Sequence, residues 1–207
     1  MTPFKKFNII DKSKYSDGPW MNEPDLELAI DNNSGFPMIL RRADVGGQIN
    51  GYVGVPKCHP LHGKHYSSCV LPTAKRKRKR LKITALRNLL LQIPRWLEKE
   101  LAAMKYCKDG ECCDHRPEHF LQVHGGITYS DYCHDIDSVK GYWFFGFDTA
   151  HCTDIMPGME AMLRPIGSPR DKITSSALLG ESYKNIEFVR QECADLARQL
   201  RDYRREK

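Results

Sequence analysis

Residues 142–148 read Tyr-Trp-Phe-Phe-Gly-Phe-Asp, the most β-prone run of the chain. Successive side chains of a strand point to opposite faces, so a strand here is aromatic on both sides. Such a strand belongs inside a sheet, with material packed on each face. Strand neighbours come from residues 37–44 (PMILRRAD) and 49–56 (INGYVGVP), two extended apolar-containing runs joined by Val45, Gly46, Gly47 and Gln48, the glycine-rich joint of a hairpin. Residues 120–130 (FLQVHGGITYS) read as a strand entering a glycine turn and leaving it again. A covering layer comes from Ile186, Val189, Cys193, Leu196, Leu200 and Tyr203, whose steps of three and four predict an amphipathic helix over residues 182–205. The expected fold is α+β, a small antiparallel sheet packed by a C-terminal amphipathic helix.

The remaining stretches carry weaker patterns. Residues 1–35 read as an irregular arm with a short helix at 24–30. Residues 58–69 hold three histidines, two cysteines, a proline and a glycine, which predicts a loop. Leu86, Leu90, Ile93, Leu97, Leu101 and Met104 draw one apolar stripe, which predicts a helix kinked or split at Pro94. Residues 67–119 thus read as a basic, helical insertion, and residues 155–180, rich in proline and glycine, as mostly loop. A chain of 207 residues is expected to form one domain.

Apolar residues make up 41% and charged residues 28%, which excludes wholesale disorder. No apolar run approaches the roughly 20 residues that span a bilayer, and the polar N-terminus lacks the pattern of a signal peptide, so no membrane partner is expected and a cytoplasmic location is. The eight cysteines are accordingly expected as free thiols rather than disulfides. Much of the net charge of +6 sits in Lys75, Arg76, Lys77, Arg78, Lys79 and Arg80, extended by Lys82. That run is a solvated helix start, a contact for nucleic acid or another partner, or a nuclear address.

The glycine loops, nucleophile elbows and zinc signatures of the common enzyme classes are absent. What remains is a constellation: His124, Gly125 and Gly126 at one predicted strand end, and Asp148, His151 and Asp154 at another. Imidazole and carboxylate together suit a divalent metal such as Zn or Mn, which would be held by His124, Asp148, His151 and Asp154 and would activate water. The same four residues suit a metal-free acid and base pair, with an aspartate orienting His151. They equally suit a pocket in which the Gly125 and Gly126 amides, Tyr129, His59 and His62 hold a small anionic, nucleotide-like ligand. Against all three stands a structural role, since Asp and His often cap turns at strand ends. Cys107, Cys112, Cys113 and His115 number enough for a zinc, but their spacing matches no standard knuckle. Cys152 beside His151 and Cys133 beside His134 cannot act as dyads, because adjacent residues of an extended segment point apart.

Four blocks carry a resemblance: GYVGVPKCHPLHGKHY at 51–66, VHGGITYS at 123–130, WFFGFDTAHCTDIMPGM at 143–159, and the helix beginning YKNIEFVRQECADLARQL. Their order and content are similar to those of a family of small proteins encoded by bacteriophages and prophages, over about half of the chain. The chain departs from that pattern in the stretch 67–119 and in Cys152, where a small residue is expected. The resemblance implies a phage accessory protein working in the host cytoplasm, a class that includes interference with host enzymes or immune signalling.

Two functions follow as expectations. In the first, the His/Asp site binds a metal or a small anionic ligand and hydrolyses a phosphate or glycosidic bond. In the second, the protein is a non-enzymatic interaction module that inhibits a host defence or nucleic-acid machine through its basic insertion.

Overall fold

The computed structural model describes residues 4–70, 115–159 and 182–205. The basic run at 75–80, the helical stretch at 86–104, Cys107, Cys112 and Cys113 lie outside the described residues. The chain divides into two compact units, Met1–Tyr66 with Leu121–Lys207, and Ser67–Phe120. In the second unit a short helix, α1 (Pro117–Phe120), follows His115, whose carbonyl accepts from the Val70 amide at 3.0 Å.

The first unit is built on six strands: β1 (Lys5–Phe7), β2 (Leu26–Ile30), β3 (Pro37–Arg42), β4 (Ile49–Val55), β5 (Tyr129–Tyr132) and β6 (Trp143–Phe147). They form one antiparallel sheet in the order β1-β2-β3-β4-β6-β5. A 20-residue helix, α2 (Ile186–Arg205), packs against β4 and β3. This is the α+β architecture expected from the sequence.

β6 lies between β4 and β5, so its backbone is hydrogen-bonded on both edges. Alternation divides its side chains between two cores. Phe145 and Phe147 join Met38, Leu40, Ile49 and Val53 beneath α2, where Val189, Cys193, Leu196 and Leu200 complete a solvent-free layer. Phe144 points the other way and clusters with Ile39 and Val139, flanked by Leu26, Leu28 and Tyr52. Small residues let these layers close: a Cβ on Gly51 would fall 2.5 Å from the Phe147 ring and 2.7 Å from the Cys193 sulfur. Burial also pushes the Cys193 thiol far up, which marks it as a packing group rather than a nucleophile.

Three expectations are corrected. Residues 24–30 form no helix; they supply β2, whose Leu26 and Leu28 face one core while Glu27 and Ala29 face the other. The arm therefore contributes two strands. The stretch before Gly125 is loop, and only its exit becomes a strand, β5. Finally, α2 starts at Ile186 rather than at 182: Asn185 accepts from the Phe188 amide at 2.9 Å as an N-cap, and Ser182 is held instead in a bridge to Asp154.

Two buried ion networks tie the arm to the rest. Arg42, fully buried on β3, meets Asp25 at 3.1 Å, Glu23 at 3.0 Å, the Gly47 carbonyl at 2.7 Å and the Tyr183 hydroxyl at 3.0 Å. Glu23 in turn accepts from Tyr183 and from the Ile186 amide. The second network pairs Glu27, also fully buried, with Arg190 of α2 in a two-pronged contact.

Candidate metal centre

Residues 121–127 and 148–154 leave the sheet without regular structure, and their shape depends on anchors. Leu121 and Ile127 are buried plugs at the two ends of the first loop. Between them α2 grips the backbone: Gln199 accepts from the Gln122 amide and donates to its carbonyl, both at 2.7 Å, and Glu192 accepts from the His124 amide at 2.6 Å. Phe188, one turn before Glu192, stands edge-on to the His124 ring at 5.3 Å. Residues 188, 192 and 199 lie on one face of the helix, so one element sets the position of His124.

The second loop is fixed at Asp154. Its amide donates to the His151 carbonyl at 2.9 Å, and the flanking backbone pairs with Ser182, from Ile155 at 3.1 Å and to Thr153 at 3.0 Å. The Asp154 carboxylate has no exposed surface, while the His124 and His151 side chains are 20% and 31% exposed. One oxygen of that carboxylate, Oδ2, collects three contacts: His124 Nε2 at 2.7 Å, His151 Nδ1 at 3.1 Å and the His151 amide at 3.1 Å. The other, Oδ1, is buried and accepts no hydrogen bond from the described residues; Lys184 Nζ stands 3.7 Å away, an ion-pair distance. Burial raises the pKa of this carboxyl, but the hydrogen bonds from His124 and His151 outweigh it and hold the group below the usual aspartate range.

The two imidazoles meet edge to face, 5.1 Å apart. Their closeness requires Gly125. This residue has φ +67°, and a Cβ there would fall 1.9 Å from the His151 ring, so the ring rests on bare backbone.

The five other residues expected at the site are distributed differently. Asp148 lies beside the cluster, with Oδ1 3.9 Å from His151 Nε2, but its carboxylate serves the turn, accepting from the Ala150 amide at 3.1 Å and the Thr128 hydroxyl at 2.9 Å. Gly126, at φ +89°, closes the turn by donating to the Val123 carbonyl at 3.0 Å. His59 is buried away from the cluster, where Nε2 donates to the Leu200 carbonyl at 2.9 Å and Nδ1 accepts from the Leu61 amide at 3.1 Å. Leu200 follows Phe188 by twelve residues, about 18 Å along the helix. His62 sits at the opposite end of β6, against Trp143 and the Gly141 carbonyl. Tyr129 packs edge-on to Tyr52 at 5.2 Å, on the sheet face away from α2. The loop histidines therefore do not join His124.

Lys184, Phe188, Glu192 and Gln199 escape sequence reasoning. Each is one polar or aromatic residue at an ordinary position of an amphipathic helix or its lead-in, and only the docking of α2 gives it a role. Among the described cysteines, Cys133 has its thiol pKa raised by burial and by its hydrogen bond to Asp135, which removes it as an activated nucleophile.

His124, His151 and Asp154 each offer a ligand atom, and these atoms all lie within 4.8 Å of one another. Two imidazoles and one carboxylate are a donor set for divalent transition metals, and three protein ligands leave coordination positions open. The donor set fits such an ion, because the atoms that now share hydrogen bonds are the atoms that would bind it. No family model, curated protein or solved structure matches this chain.

Proposed function

We propose that the protein binds one divalent transition metal, Zn or Mn, through His124, His151 and Asp154, and that the site acts on a small anionic ligand. The observation that carries this reading is the Asp154 carboxylate: fully buried, approached by two imidazoles on one oxygen, and among the described residues without a hydrogen bond on the other. A carboxylate that only capped its turn would need neither ring. A bound metal supplies a polarised water and an electrophilic centre. Lys184 adds a fixed positive charge beside Asp154, steadied by its hydrogen bond to Ser182 at 2.6 Å and its approach to the Phe188 ring. A phosphorylated ligand suits that combination of charges, and hydrolysis of a phosphoester is the reaction it supports. The reading of the chain as a phage accessory protein in the host cytoplasm belongs to this proposal as its setting.

The test is metal content and metal titration of the full chain. One equivalent of Zn or Mn is expected, lost in His151→Ala and in Asp154→Asn while the far-UV spectrum is kept. Wild-type protein that neither retains nor binds either ion would overturn the proposal. An activity screen on phosphoesters follows only from a positive result.

A further inference from the structure

On the sheet face away from α2 lies a cavity of about 320 Å³, within the range of small-ligand sites. The buried Ile39 and Phe144 and the edge-to-face pair Tyr52 and Tyr129 line it, and Arg41 and Asp135 stand together among the lining residues. None of these residues takes part in the His124/His151/Asp154 cluster. A Cβ on Gly146 would fall 2.3 Å from the Tyr52 ring, so the absence of a side chain at 146 makes room for that ring. The hydroxyls are weakly engaged, Tyr52 accepting from Asn50 at 3.5 Å and Tyr129 donating to the Tyr132 carbonyl at 3.4 Å. Nearby, the Asn50 side-chain oxygen is buried without a hydrogen bond.

Aromatic walls select a flat ring. The polar groups select its edge: Arg41 can only donate, and ionised Asp135 can only accept. Arg41 and Cys133 hold the Asp135 carboxyl below its usual range, so the acceptor character is kept at neutral pH. A flat ring with an acceptor beside a donor on one edge describes a nucleobase, and of these a purine offers the larger face to the tyrosines; its ring carbonyl or nitrogen would face the guanidinium and its N–H groups the carboxylate. The Arg41–Asp135 pair is partly exposed, with side chains 42% and 51% accessible, so exchanging it for ligand contacts opens no sealed core.

We infer that this cavity is a purine-binding pocket, a site separate from the metal centre and independent of whether that centre holds an ion. The experiment is calorimetric or ligand-observed NMR titration of the full chain with adenosine and with guanosine, in the presence of a chelator. Nucleosides lack phosphate and the chelator removes metal, so failure here and failure of the metal proposal are told apart. Binding of at least one nucleoside is expected, weakened about tenfold or more in Tyr129→Ala, as loss of a stacking wall implies, and weakened also in Arg41→Ala. Both side chains are partly exposed, and a thermal melt confirms that the variants fold. Absence of binding by both nucleosides at millimolar concentration, or affinity unchanged in both variants, overturns the inference.

Discussion

Gly125 concentrates two requirements in one position, a left-handed backbone and an empty volume filled by the His151 ring. Gly125→Ala is therefore expected to cost about 1 kcal/mol from the backbone alone, and to displace His151. A thermal melt should show modest destabilisation and a metal titration a disproportionate loss of affinity; equal, small effects on both would show that the ring has another place to go. His124, His151 and Asp154 stood out in the sequence because histidine and aspartate clustered beside glycine turns are rare enough to notice. His59 and His62 looked the same on paper and lie away from the cluster. The difference lies in which groups each ring meets: a carbonyl and an amide enclose His59, and no pattern of neighbours along the chain records that.

Among the elements, α2 was legible because its apolar residues recur at steps of three and four, and the β3–β4 hairpin because a glycine-rich joint separates two extended apolar-containing runs. β2 was not. Its inward positions are Glu27 and Ala29, and a buried glutamate hides the alternation that identifies a strand. Glu27 tolerates that place because Arg190 reaches across from α2. Among the described residues, Arg190→Ala leaves a fully buried carboxylate with only Lys6, 3.9 Å away and largely exposed, as a cationic neighbour. Breaking a buried pair in this way costs about 3–5 kcal/mol. Urea denaturation should register that loss, and the double change Glu27→Leu with Arg190→Met should recover most of it. A double variant as unstable as the single one would mean that the pair is needed for more than charge balance.

For the molecule as a whole, stability should fall in acid. Burial acts to raise the pKa of Asp25, but hydrogen bonds from Lys12 and from the Ile9 and Ile10 amides outweigh it, and its folded value lies below the ordinary one; Asp154 is lowered likewise. A carboxyl with a depressed folded pKa contributes stability that is complete above the unfolded value, about 3.9. That contribution disappears as pH falls through the depressed value. Thermal melts should therefore hold steady near neutrality and drop below about pH 4, and the drop should shrink in Asp25→Asn measured against its own neutral-pH melt. The same networks have a bearing on the order in which the protein is made. Glu23 reaches the Ile186 amide and Tyr183, Glu27 reaches Arg190, and the His124 amide reaches Glu192. A ribosome delivers the early strands long before Tyr183, Ile186 and Arg190, so nascent chains must wait with Glu27 lacking Arg190 and, among the described residues, with the Glu23 side chain joined only to Arg42. Only the arrival of the last helix lets them close, and both loops of the histidine cluster set in that same late step.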